Sequence, residues 1–262
     1  MNQENIDYLK KELKYFGFGD KLNEGLVNSI KEEPLAFQLV HKGEFKSGDE
    51  IKNVEFILDF KKSDSTDKYF FNTYKATLQS ENPENVRSQT FYTKSNAQIT
   101  ALEAFNLLEG RAVNKDITGT KEDFNAWRQL DFSTKDKYGN FESKQWHENY
   151  KYNLEEAVSK FPIKELSNEE HKTKLLKSLE KGNTHQVTFS IDGKDQKMFI
   201  SANPQFKGIN VYDERMKSVY QGNEKKTAQD GETKKDTKEA LKNADDEESG
   251  PGKKVKKKGM KV

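Results

Sequence analysis

The stretch 101–132 constrains this chain more than any other. It reads as a helix over residues 101–109, a stop at Gly110, a strand over 111–115, a turn, and a second strand over 124–132. Glycine ends a helix well because it takes a left-handed backbone without a Cβ clash. A looser copy follows over 174–212. There Leu175, Leu176 and Leu179 precede Gly182, and Val187, Phe189 and Ile191 lead through Asp192-Gly193 to Met198, Phe199 and Ile200. An Asp-Gly pair between such runs marks a hairpin. The two glycines lie 72 residues apart. A duplication and two ordinary helix-to-hairpin connections both fit that spacing.

The segments before this unit have their own periods. Ile6, Leu9, Leu13 and Phe16 fall three and four residues apart, which places them on one helical face. Gly17 closes that helix, and Asp20 is expected to cap a second one carrying Leu22, Leu26, Val27 and Ile30, ended by Pro34. Val54, Phe56, Leu58 and Phe60 then alternate with Glu55, Ile57 and Asp59 at the period of two that a strand requires. After the polar turn 61–68, Phe70, Tyr74, Ala76 and Leu78 are expected to share a strand face. Phe37 to Val40 and Gln89 to Tyr92 flank this pair, so a four-stranded meander is expected.

The fold class that follows is α+β: an N-terminal helical hairpin, antiparallel β-hairpins interleaved with short helices, and a disordered C-terminal tail. The expected units are a helical hairpin over 1–34, a β-meander over 35–98, a helix–hairpin unit over 99–166, a second over 167–221, and the tail over 222–262. Residues 141–152 read equally as strand or loop. Leu154, Val158 and Phe161 mark a short helix ended by Pro162, and Asn168 is expected to cap the next. Residues 222–262 hold twelve lysines and nine acids with no aromatic residue, too little apolar surface to offset the entropy of ordering.

Charge narrows the function. The whole chain is +1; the tail accounts for +3 and residues 1–221 for −2, so no single basic field covers the molecule. Four of the 45 basic residues are arginine, and lysine suits solubility better than forked phosphate recognition. There is no cysteine, hence no disulfide, thiolate zinc site or thiol nucleophile. No secretory signal and no apolar run near the roughly 20 residues of a membrane span is visible, which predicts a cytoplasmic protein without a membrane partner.

Reactive groups are scattered. Phe16-Gly17-Phe18-Gly19 is similar to the turn of a helix–hairpin–helix DNA motif, yet Asp20 sets a negative charge beside the phosphate position, and helix capping is favoured. Asp64 and Asp67 lack calcium-loop spacing and suit an Asx turn. His147 beside Glu148 has no H-E-x-x-H context. No cofactor, metal or catalytic residue is expected. Contact candidates are Trp127, which alternation points outward if Phe124, Leu130 and Phe132 face the core, with Arg111 and Arg128 beside it. Burial of Trp127 under a helix or second sheet is the favoured reading. Lys253, Lys254, Lys256, Lys257 and Lys258 form the densest basic cluster, which either touches DNA phosphates or, the favoured reading given the acidic run 245–248 just upstream, serves as a solubilising tail.

Several stretches resemble an uncharacterised Bacteroidota family, a domain-of-unknown-function group found with conjugative and other mobile-element genes. They are 14–19 (Lys14, Tyr15, Phe16, Gly17, Phe18, Gly19), 62–72, 109–116, 124–127 and 202–207. The resemblance covers about residues 1–220 and brings no assigned catalytic residue. It implies a setting near DNA processing. The expected function is thus a non-enzymatic accessory protein of mobile elements acting near DNA. The alternative is a protein-interaction adaptor that docks through its helical hairpin or the edge of the 35–94 sheet.

Overall fold

The computed structural model describes residues 2–119, 122–191 and 193–221, for Gln221 the backbone alone. The fold is α+β. Lys253, Lys254, Lys256, Lys257 and Lys258, with the rest of 222–262, lie outside the described residues.

Helix α1 (Gln3–Tyr15) begins at Asn2, whose side chain accepts from the Asn5 N–H. It ends in a Schellman arrangement. Gly17 N–H donates to Lys14 O (3.1 Å) and Phe18 N–H to Leu13 O (2.9 Å), with Gly17 at φ +88°. Those N–H groups close the helix, so they are not free to cradle a phosphate. Helix α2 (Asn23–Lys31) differs from expectation, because Asp20 does not cap it. The helix starts three residues later, and Asp20 instead accepts from Asn23 through both its carbonyl (3.1 Å) and its carboxylate (3.2 Å).

Four strands follow in meander order: β1 (Ala36–Ser47), β2 (Glu50–Lys62), β3 (Tyr69–Leu78) and β4 (Arg87–Tyr92). Val54, Phe56, Leu58 and Phe60 are all buried as their alternation requires. On β3 the expected face is wrong at one end: Phe70 is exposed and Phe71 is fully buried. The register pairs Asp59 with Thr73 and Phe60 with Phe71, leaving Asn72 as an extra residue. This bulge reverses the in–out parity, so Tyr69 and Phe71 join Tyr74, Ala76 and Leu78 inside. Turn 63–68 is held by Ser63 Oγ, which accepts from the N–H groups of Ser65 and Thr66; the expected Asx turn is a hydroxyl turn.

Helix α3 (Ala101–Leu108) carries a full capping box between Thr100 and Glu103. It packs with α1 and α2 on the inner face of the meander, around Phe16, Phe18, Phe56, Phe71, Tyr74 and Phe105. Strands β5 (Val113–Ile117), β6 (Phe124–Lys135) and β7 (Phe141–His147) form a second sheet. Helices α4 (Leu154–Ser159) and α5 (Glu169–Glu180) precede the third sheet. That sheet runs in order β11 (Ser218–Gln221), β10 (Gly208–Tyr212), β9 (Lys194–Asn203), β8 (His185–Ile191). Asn168 caps α5 as expected, accepting from His171 N–H. Strand β11 has no counterpart in the sequence reading.

The middle sheet is shared between two cores. Val113, Leu130 and Phe141 belong to the first; Ala112 and Trp127 belong to the second, with Leu154, Val158, Leu175, Leu179, Val187, Phe189 and Ile200. The two helix ends meet there. Asn106 Nδ2 donates to Lys181 O (2.6 Å) and to Asn183 Oδ1 (2.8 Å), so the C-terminal turns of α3 and α5 are tied together. No helix among the described residues is long and apolar enough to cross a membrane.

Candidate functional site

The expected contact residues do not form one surface. Arg111 is buried at 8% exposure, and all three of its nitrogens are used. Nε donates to Gly182 O (2.8 Å), Nη2 to Asn106 Oδ1 (2.7 Å), and Nη1 to Glu109 Oε2 (3.3 Å). Burial lowers its pKa while Glu109 opposes that shift. It is a cross-link between helix ends, not a phosphate contact. Trp127 is also buried, at 6% exposure, with its ring edge-on to Tyr152 at 5.4 Å. It does face away from Leu130, as alternation requires, but the second core covers that side. Arg128 is half-buried on the opposite face, beside Ala126 and Leu130, and burial lowers its pKa. Trp127 and the two arginines therefore offer no exposed stacking platform.

Two recesses flank these residues. One of 420 Å³ is lined by Asn114, Asn125, Trp127, Tyr152 and Glu180 among others. Its amides bond each other at 2.6 and 2.8 Å, and Asn125 also reaches Asp116. Burial, then Asp116, raises the Glu180 carboxyl. The other, of 530 Å³, lies where Ser47, Lys52, Glu109, Arg111 and Tyr212 meet. There Ser47 Oγ donates to Glu109 Oε2 at 3.0 Å, so its carboxylate is already engaged. His147 ends β7 with its ring against Phe124 at 5.0 Å. Among the described residues no three His, Cys, Asp or Glu side chains group to hold a metal ion.

The sheet edges are more informative. An unpaired edge strand is a template for another chain, and proteins usually blunt it. Along β8, both oxygens of Glu165 accept from Thr188 N–H at 3.0 Å, and Ser190 N–H donates to Pro162 O at 2.8 Å. Along β4, Thr90 N–H donates to Asn140 Oδ1 (2.9 Å), and Phe141 N–H donates to Gln89 Oε1 (2.8 Å). Strands β5, β7 and β11 are short, at five, seven and four residues. Strand β1 is twelve residues long and, among the described residues, pairs only with β2.

The register says which groups β1 leaves open. Lys62 N–H donates to Leu35 O, and the pairing continues through Phe37–Phe60 and Leu39–Leu58 to Ser47–Glu50. Hydrogen-bonded pairs alternate along an antiparallel ladder, so the odd-numbered residues turn their backbone groups toward β2. Gln38, Val40, Lys42, Glu44 and Lys46 turn theirs outward. Among the described residues nothing bonds those N–H and C=O groups, and Lys42, Glu44 and Lys46 carry no ion pair. All five side chains stand on the solvent face, Val40 at 56% exposure. The inner side of the edge is aromatic: Phe37 stacks on Phe60 at 4.8 Å and Phe45 on Phe105 at 4.7 Å.

The helical hairpin, the other expected docking surface, has its apolar face consumed by the first core. Its outer side keeps Tyr8 and Tyr15, with Tyr8 bonded to Glu12 at 2.7 Å and to Lys94 at 2.8 Å. Phe37 to Val40 are legible as the edge strand in the sequence, but its second half is not. Gly48-Asp49, a two-residue turn between Ser47 and Glu50, is the signal that extends β1 through Ser47. Compared with protein-family models, with curated proteins and with solved structures, the chain has no significant match.

Proposed function

We propose that this chain is a non-enzymatic binding protein that takes up an extended segment of a protein partner along the open edge of β1. The observation that supports this reading is selective protection: the edges of β4 and β8 are capped by side chains and loops, while the longest edge is bare among the described residues. Strand addition draws its affinity from main-chain hydrogen bonds and its selectivity from alternate side chains. On β1 the selective positions are Lys42, Glu44 and Lys46 on the solvent side, and Phe37 and Phe45 on the other. The family resemblance supplies a setting, cytoplasmic and accessory to a DNA-processing complex of a mobile element. Direct DNA contact in that setting belongs to Lys253, Lys254, Lys256, Lys257 and Lys258.

Val40→Pro tests the reading. Val40 points its N–H outward, so proline removes an edge donor and spares the β1–β2 ladder. Immobilised full-length chain is expected to retain a specific protein from nuclease-treated extract of the native host, and V40P is expected to lose it. Equal retention by both proteins contradicts the proposal.

A further inference from the structure

We infer that the strand received by β1 is β1 of a second copy, joined antiparallel about a two-fold axis through Gly43. This rests on the strand-addition reading and names its partner. Outward-facing residues pair with outward-facing residues across such a junction. The register is then chosen by charge, because like charges directly opposite are unfavourable and opposite ones favourable.

Few registers centre on the strand, and they differ sharply. An axis through Lys42 sets that lysine against itself. An axis through Glu44 sets that glutamate against itself and Lys42 against Lys46. An axis through His41 puts Val40 opposite Lys42 and Gln38 opposite Glu44, pairing neither charge. The axis through Gly43 puts Lys42 opposite the second copy's Glu44, and by symmetry the reverse, with Val40 against Lys46. Both charges are matched twice, and neither has an ion pair within its own chain among the described residues.

Gly43 suits the axis on other grounds. A non-hydrogen-bonded pair brings its Cα atoms to about 4.5 Å, and glycine puts no side chain into that gap. Phe45 already lies over the position: a Cβ on Gly43 would fall 2.8 Å from its ring. On the inner side the same register sets His41 opposite Phe45 twice, continuing the aromatic flank. Two four-stranded meanders become one eight-stranded sheet, with both outer faces on one side. The junction is a strand pair, smaller than the ~1,600 Å² of a standard interface, so assembly depends on concentration.

The test is sedimentation equilibrium of the full chain, up to about 0.5 mM given so small an interface, for wild type, K42E, E44K, K42E/E44K and V40P. The wild type is expected to dimerise. Each single exchange turns two symmetric attractive pairs repulsive and is expected to weaken the dimer about ten-fold. The double exchange restores opposite charges and is expected to recover the wild-type constant to within about three-fold. A wild type that stays monomeric, or single exchanges without effect, overturns the inference. If the wild type is monomeric but V40P still loses another captured protein, the second-copy inference fails and strand addition stands. If V40P changes neither dimerisation nor capture, both fail.

Discussion

The guanidinium Nε of Arg111 donates to the carbonyl oxygen of Gly182 across 2.8 Å, so the residue that follows one helix-ending glycine holds the other in place. Gly182 sits at φ +79°, and a Cβ there would lie 2.8 Å from Ala112 O and 2.9 Å from Val113 Cγ2. Gly139 has a similar φ of +83° with nothing within 4 Å. Gly139→Ala should therefore cost only the left-handed penalty, about 1–2 kcal/mol. Gly182→Ala adds a backbone clash and should cost about 3 kcal/mol or more. Urea unfolding of the two variants separates these values.

Trp127 is a core residue of the junction, not a stacking platform. Trp127→Ala should destabilise the fold by about 3–5 kcal/mol through the cavity it leaves. Any effect of this change on nucleic-acid binding should track the unfolded fraction, which fluorescence titration at two urea concentrations checks.

The burial of Trp127, the favoured of its two readings, shows what a sequence can carry. Local chemistry was readable: Asn168 as a cap, Gly110 and Gly182 as stops, Val54 to Phe60 as a one-sided strand. Alternation sorts residues into core and solvent only when a sheet has one wet face. The β5–β6–β7 sheet carries a core on each side, so pointing away from Leu130 still means burial. The Phe70–Phe71 reversal depends on a bulge opposite Asp59, a register fact between strands. Strand length is likewise non-local: Phe37 to Val40 could be placed as a flanking strand, but its run on to Ser47 depends on the pairing with β2. What could be read there was the Gly48-Asp49 turn and the open charges Lys42 and Glu44.

His41 and His185 predict the pH response. Burial lowers the pKa of both; Lys21 adds to this at His41, and Glu165 opposes it at His185. The unfolded chain therefore takes up these protons near 6.5, where the folded chain does not. Their stabilising contribution is whole above about pH 6.5 and shrinks as pH falls toward the lowered folded values. The raised carboxyl of Glu180 acts with the opposite sign, at lower pH. The urea midpoint should fall between pH 7.5 and 6, and H41Q/H185Q should flatten that slope.

Backbone amide exchange along β1 tests the central claim most directly. The N–H groups of Phe37, Leu39, His41 and Phe45 are bonded within the sheet, while those of Gln38, Val40, Lys42, Glu44 and Lys46 face outward. Dilute, isolated protein should show slow exchange at the first set and fast exchange at the second. In the associated state, several of the outward amides centred on Lys42 and Glu44 should become protected while α1 and α2 are unchanged. Outward amides that stay fast in every associated state would contradict the account.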